Sequence, residues 1–387
     1  MGRELSILIV SHDTIAPDHG SGRATCGLIE ELRRCGHRVD TFEQRDVFPT
    51  GMSRLDRYRP QHFARAAMAF AASRPRAYDV IDAFQGDLPQ SKDLLGTRAV
   101  TIARSHGLYA FYREFAEFAH RRWPDLRLGT PIGRLLTWPA QRADARACRR
   151  SMESADHVVV VHEGEQRFVT THLRSDNRCT AIPNGLWEEQ ARALSAAALP
   201  SEIRRECPHV VAVGAWSVRK GAGDWPKILA RLSERIPHVR VTFLGTGIAA
   251  DDVLRFFNAA LRERIAVVAH YDPDELPSLL RAATVGAFPS YVEAGCSLAV
   301  LEQLAAGVPV VSYAYPGHDG VIDAVDPRLV VPLGDPDAFA LRIAEFLKIG
   351  RARYEQLATR ARAVAGSYRL DDMAARTIEL YERCLHG

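Results

Sequence analysis

The sequence predicts an α/β protein built from two doubly wound units in tandem. Short apolar runs alternate with helical stretches along almost the whole chain, which is the pattern of parallel sheets covered by helices on both faces. The alternation falls into two series, interrupted once by a segment without any strand signal. The length of 387 residues also suits two domains of ordinary size better than one.

The first series opens with the strand-like run Ile7–Val10 and the helical run Ala24–Arg34, which Gly36 closes. Apolar segments follow at Asp79–Ala83, Ala99–Ala103 and His157–Val161, with helical stretches between them. Residues 186–208 are rich in Ala, Glu and Arg and read as a linker. The second series runs through Val210–Val213, Arg240–Leu244, Ile265–Val268, Val285–Pro289, Val308–Ser312 and Leu329–Val331. Helical segments separate these strands at Trp225–Ile236, Asp251–Arg264, Asp274–Ala283, Ser297–Ala306 and Asp335–Ile349, and Asp371–Leu385 is a last helix. The domains are accordingly expected at 1–190 and 205–369.

Composition narrows the class. Hydrophobic residues at 47% and charged residues at 25% exclude a disordered or collagen-like chain. No apolar run approaches the ~18–20 residues of a membrane helix. The strand expected from Ser6 leaves no room for a secretory signal at the N-terminus. The seven cysteines show no zinc spacing and are expected as buried free thiols in a reducing cytoplasm. A net charge of +3 does not mark a nucleic-acid binder. Charge is uneven, however: residues 111–150 carry nine arginines against four acids. Phe111, Tyr112, Phe115, Phe118, Trp123 and Trp138 interleave with them, so this stretch is expected to be either a face for the acceptor or an anionic membrane surface, or a solvated helix face with core aromatics.

Several strand ends carry residues suited to chemistry. Gly20-Ser21-Gly22 follows the first strand, and its glycines let backbone approach a ligand near a helix start. The dinucleotide fingerprint GxGxxG is not met, which argues against a nicotinamide dehydrogenase. His106, in Ser105-His106-Gly107, stands at the carboxyl end of an apolar strand, where open parallel sheets bind ligands. In the second series, Gly214 to Gly221 places Arg219 and Lys220 in a loop after a strand. The chain has only four lysines, so one in such a loop is notable. Pro289 to Glu302 then reads as a strand end, a loop containing Glu293 and Gly295, and a helix starting near Ser297 and Leu298. Free amides at that helix start suit a phosphate oxygen. Glu302, about one and a half turns into the helix, could accept from a ribose diol, and Lys220 could neutralise a diphosphate. Asp272-Pro273-Asp274 has Asp-x-Asp spacing, but Asp274 is expected to cap a helix rather than bind metal.

In order, these motifs resemble a retaining glycosyltransferase of family 4 with the GT-B architecture. The resemblance also rests on Ile182-Pro183-Asn184-Gly185, Leu244-Gly245-Thr246-Gly247, Gly307-Val308-Pro309 and Gly334-Asp335-Pro336, and it covers nearly the whole chain. It implies two Rossmann-like domains facing each other across a cleft, 1–190 binding the acceptor and 205–369 the nucleotide-sugar donor, with the C-terminal helix 370–387 returning to the N-terminal domain. It implies a nucleotide-diphosphate sugar, UDP-sugar first, with Lys220 and Gly214 at the diphosphate, Glu302 on the ribose, Glu293 on sugar hydroxyls and amides of Ser297 and Leu298 on phosphate. His106 and the Gly20–Gly22 loop would meet the transferred sugar. Two departures stand out. Eight residues rather than seven separate Glu293 from Glu302, which makes the loop one residue longer or puts Ala294 at the usual Glu position. Ala215 also replaces the family's arginine after the glycine, leaving Arg219 as the substitute cation.

The implied chemistry is transfer to an acceptor hydroxyl with retained configuration. The cations and helix amides would stabilise the leaving diphosphate, without a metal or other cofactor. No second carboxylate offers itself as a nucleophile, so front-face displacement is expected. A nucleotide-sugar 2-epimerase and a non-catalytic nucleotide-sugar binding module remain as alternatives.

Overall fold

The computed structural model describes residues 3–17, 20–51, 61–123, 131–293, 295, 297–315, 317–318 and 320–386. The chain divides into two compact units. The first comprises Met1–Glu114, Arg127–Pro183 and Leu370–Gly387; the second comprises Phe115–Leu126 and Asn184–Arg369.

The first unit holds a six-stranded sheet, wholly parallel, of β1 (Ser6–Ser11), β2 (Arg38–Glu43), β3 (Val80–Phe84), β4 (Val100–Arg104), β5 (His157–Val160) and β6 (Cys179–Ala181). Its spatial order is β2-β1-β3-β4-β5-β6. The central strands are continuous apolar runs because helices cover both faces, and Ile7, Leu8, Val10 and Ile81 are fully buried. The sequence reading missed β2 and β6. Both lie at sheet edges, where one is mostly polar and the other only three residues long. The first helix begins at Gly20, one turn earlier than expected. A Cβ on Gly22 would run into the Thr14 carbonyl oxygen, so glycine in this first turn lets the preceding loop pass close over it.

The second unit repeats the design with β7 (His209–Val213), β8 (Arg240–Leu244), β9 (Ile265–Val268), β10 (Val285–Phe288), β11 (Val310–Tyr313) and β12 (Val330–Val331). The order is β12-β11-β10-β7-β8-β9, again all parallel. The segment 186–208 is not a linker. It forms the helices Glu188–Ala197 and Ser201–Glu206, with Leu194 and Arg204 buried. Arg204 donates to the carbonyls of Arg281 (3.1 Å) and Ala306 (2.8 Å), which ties this stretch into the second unit. The expected helix Asp251–Arg264 is split into Ala250–Leu254 and Ala259–Arg262, because Asn258 caps the second piece through Leu261 N. The cap after β9 is Asp272 rather than Asp274: Pro273 takes the first helical position, where no N–H is needed, and the Asp272 carboxylate accepts from Asp274 N.

The last helix, Leu370–His386, belongs to the first unit. Leu370, Met373, Ala374, Thr377, Leu380 and Tyr381 form its buried stripe, at the spacing of one helical face. Tyr381 donates its hydroxyl to Asp82 Oδ2 at 2.5 Å. Asp82, on β3, also receives the Arg104 guanidinium from β4, with Nη2 at 2.6 Å and Nε at 3.0 Å. All three side chains are buried, so each charge depends on the others for the solvation it has lost.

Among the described residues no helix is long and apolar enough to cross a membrane. Six described cysteines are unpaired. Of these only Cys179 is buried, while Cys35 and Cys207 are exposed, contrary to the expectation that the thiols are buried. Both exposed thiols follow the end of a helix, outside any packed stripe.

Removing the carboxylate in Asp82→Ala leaves Arg104 buried without a counter-charge and is expected to cost ~3–5 kcal/mol. Tyr381→Phe removes one hydrogen bond to a charged acceptor and should cost ~1.5–3 kcal/mol. Urea unfolding followed by circular dichroism measures both, and Asp82→Ala should be the larger loss.

Candidate functional site

In the second unit the strand order reverses between β7 and β10, and open parallel sheets bind ligands at the carboxyl ends of strands flanking such a reversal. The loop after β7 is Gly214–Gly221, and the loop after β10 leads from Pro289 into the helix Leu298–Ala305. The two loops lie tightly together. Gly214 takes a φ of +134° while the Lys220 side chain runs 3.6 Å from where its Cβ would be. Gly221 has a φ of +81°, and a Cβ there would strike the Pro289 carbonyl. Ser217 caps the short turn Val218–Lys220, which presents both cations in succession.

Glu293 joins the loops. Its Oε1 receives Arg219 Nη1 at 2.5 Å, Lys220 Nζ at 2.8 Å and Ser290 Oγ at 2.6 Å. The residue is only 7% exposed. Burial opposes its charge, but Lys220 and Arg219 outweigh that and hold the carboxyl below the usual range. Burial presses the Lys220 ammonium the other way, toward losing its proton, and Glu293 resists. Lys220 Nζ also stands 4.7 Å from the Phe288 ring centroid, where the ring face favours a cation. A small hollow beside it is lined by Gly214, Ala215, Ser217, Lys220, Phe288 and Pro289.

The helix Leu298–Ala305 starts after Ser297, whose backbone is extended (φ −66°, ψ 135°), and Gly295 adopts a left-handed φ of +53° just before it. Ala294 and Cys296 lie outside the described residues. Glu302 on this helix is 2% exposed and accepts from Gln190 Nε2 at 2.8 Å. Gln190 was missed by the sequence reading because it sits on a helix in the segment taken for a linker. Asp224 was missed too. It is buried and accepts from the Tyr291 (2.5 Å) and Tyr313 (2.8 Å) hydroxyls, fixing the start of the Pro289–Ser297 loop. Nothing in the sequence sets it apart from an ordinary residue at a helix start.

The remaining expected site residues lie in the first unit. His106 follows β4 and stacks on Phe84 with ring centroids 4.6 Å apart. Among the described residues neither ring nitrogen has a hydrogen-bond partner, and burial pushes its pKa down to about 3, so the ring is neutral. Gly20 and Gly22 lie within the first helical turn rather than in a loop before it. The arginine-rich stretch spends most of its aromatic side chains on protein contacts. Phe111 packs against the Val158–Val169 core and Phe168. Phe115, Phe118 and Trp123 surround the Tyr291 ring at 5.6, 5.6 and 5.1 Å. Trp138 is 54% exposed, with the Arg142 guanidinium 4.5 Å over its ring.

Residues 207–348, the span that carries this arrangement, match the model of the family described as Glycosyl transferases group 1. That span falls within the second unit. A D-inositol 3-phosphate glycosyltransferase from Mycobacterium sp. (strain KMS) is 30% identical over 190 residues, which cover 45% of this chain and 42% of that one. The chain spans less than half the length of the curated relatives it matches. In fold, sucrose-phosphate synthase from Thermosynechococcus elongatus superimposes with a TM-score of 0.73 at 20% identity, covering 98% of this chain and 99% of that one. Anabaena Alr3699/HepE, solved in complex with UDP and glucose, gives a TM-score of 0.64 at 14% identity, covering 97% and 99%. The fold is GT-B, and the span that matches the group 1 model lies in the second of its two Rossmann-like units.

The Glu293 cluster has a pH signature. Because its folded pKa lies below the ordinary 4.5, its contribution to stability is complete above that value and is lost as pH falls through the lower folded value. Thermal unfolding followed from neutral pH downward should show this acid loss in the parent. Glu293→Gln should be less stable at neutral pH and should lack that component.

Proposed function

We propose that the protein moves a sugar from a nucleoside-diphosphate sugar, with UDP-sugar as the first choice, to an acceptor hydroxyl, retaining anomeric configuration and needing no metal. The carrying observation is that Lys220 and Arg219, at the reversal point of the group 1 domain, are fastened by Glu293 to the loop that feeds the helix Leu298–Ala305. The UDP bound in the HepE structure supports uridine as the base to try first.

In this reading the diphosphate displaces part of the Glu293 pairing and takes Lys220 and Arg219 as counter-charges, while first-turn amides after Ser297 donate to its oxygens. Glu302, held by Gln190, accepts from the ribose diol. Glu293 retains a second oxygen for sugar hydroxyls. As the bond from the anomeric carbon to the phosphate oxygen breaks, negative charge grows on that oxygen beside the two cations. The acceptor oxygen bonds to the same face of the carbon, and its proton passes to the departing phosphate. His106, neutral with both nitrogens unpaired, can donate one hydrogen bond and accept another from sugar hydroxyls. Peripheral contact with an anionic surface falls to the exposed stripe of Trp138, Arg142, Arg146, Arg149 and Arg150, since the other aromatics are engaged elsewhere.

Incubation with a panel of UDP-, GDP- and ADP-sugars, scored for free nucleoside diphosphate, tests the reading. One donor should be hydrolysed slowly without acceptor. Lys220→Ala should lower that rate ~10²–10³-fold. Glu302→Gln should raise the KM for donor. Unchanged kinetics in both variants would sink the assignment, and appearance of a nucleotide sugar inverted at its second carbon would indicate an epimerase instead.

A further inference from the structure

The aromatics that interleave with arginines after residue 111 include a group with a shared target. Phe115, Phe118 and Arg122 fall at the i, i+3, i+7 spacing of one face of the helix Tyr109–Arg122. Trp123 follows directly, its N–H on the Ala119 carbonyl at 2.9 Å. These four residues belong to the second unit. The three rings meet the Tyr291 ring, which Tyr313 also contacts at 5.3 Å, and Tyr291 is left only 3% exposed. Arg122 Nη2 donates to the Gly334 carbonyl at 3.2 Å. Gly334 itself passes so close to Tyr291 that a Cβ there would stand 3.1 Å from the hydroxyl oxygen.

Gly223 marks the fit most sharply. Its backbone is not left-handed, so conformation does not call for glycine. A Cβ there would instead come 2.5 Å from Trp123 Nε1 and 2.8 Å from Cε2, so the indole lies directly on it. Tyr291 leads from this contact to the cations. Its N–H donates to the Arg219 carbonyl at 2.9 Å, and its hydroxyl donates to Asp224. Ser290, the residue before it, donates to Glu293 at 2.6 Å. Glu293 is two residues further on, so a displaced Tyr291 would carry with it the carboxylate that gathers Lys220 and Arg219. Small misplacements of such groups are costly to a site.

We propose that the segment 115–123 is a clasp for the donor loop: its rings and Arg122 hold Tyr291 so that Glu293 sets Lys220 and Arg219 where a nucleoside diphosphate meets them. This rests on the transferase reading above and deepens it. Trp123 and Tyr291 are positioning residues in this arrangement.

The test compares Gly223→Ala, Trp123→Ala, Trp123→Phe and the double variant Gly223→Ala/Trp123→Ala in the full chain. Calorimetry measures binding of UDP, with GDP and ADP alongside, and hydrogen exchange follows the peptide carrying Tyr291 without ligand. Gly223→Ala pushes the indole off its seat and should weaken UDP binding by up to about tenfold, the size of a lost aromatic contact. Trp123→Ala should do the same. The double variant should be no weaker than Trp123→Ala alone, because the added methyl then meets no ring. Trp123→Phe restores a ring and should bind close to the parent. In the weakened variants exchange should quicken at Tyr291 more than in the peptides of β7 and β8. Phe118→Ala removes a ring already 37% exposed and repeats the measurement with the least disturbance to folding; it too should weaken UDP binding. Parent-like affinity in Gly223→Ala and Phe118→Ala, additive losses in the double variant, or unchanged exchange at Tyr291 would each overturn the proposal. A parent that binds none of the three nucleotides defeats the transferase reading instead, and exchange at Tyr291 then still decides whether the segment holds the loop.

Discussion

The arrangement of the candidate site depends on one buried carboxylate. Glu293 Oε1 collects Arg219, Lys220 and Ser290 within 2.8 Å, and those contacts hold the loop after β7 against the loop after β10. Lys220, the more buried of the two cations, could not stay charged there without a counter-charge, and Tyr291 N donating to the Arg219 carbonyl at 2.9 Å ties the same two loops through the backbone. The glycines at 214 and 221 serve the same end, since side chains there would crowd Lys220 or strike Pro289. A site that stores its cations on an internal acid exchanges one ion pair for another when an anionic donor arrives. It does not have to expose bare charge beforehand.

The first unit solves a related problem with different residues. Asp82, Arg104 and Tyr381 bury a charge pair and a hydroxyl together, joining β3, β4 and the last helix. Tyr381 lies 299 residues from Asp82 in sequence, so this contact, with the apolar stripe of the helix, places the chain's end on the sheet where it began. The conserved geometry of parallel sheets explains the rest of the layout. In both units the polar residues gather after strands that flank the reversal of strand order, His12 and Asp87 in the first and Lys220 and Glu293 in the second.

Buried central strands were legible because continuous apolar runs admit few other interpretations. Edge strands were not. Arg38–Glu43 is largely exposed, and Cys179–Ala181 is too short to stand out from a loop. The helices at Glu188–Ala197 and Ser201–Glu206 were mistaken for a linker because absence of strand signal says nothing about whether a segment packs. In the site, Lys220, Arg219 and Glu293 could be picked out by their loops, but that all three share one oxygen atom could not. Gln190 and Asp224 left no mark, because a side chain that supports another through space has no spacing rule in the chain.

The sequence alone determined the class of fold, the two series of strands and the loops that carry charge, since these follow from local periodicity and from glycine and proline placement. Only the tertiary structure decided which charges meet: that Arg219 turns the same way as Lys220, that Gln190 steadies Glu302, that the aromatics at 115, 118 and 123 cover Tyr291, and that His12 is locked to Asp87. The reason is physical. Periodicity reports the neighbours of a residue along one element. Pairing of buried charges is settled between elements, by what remains within hydrogen-bond reach once water has been excluded.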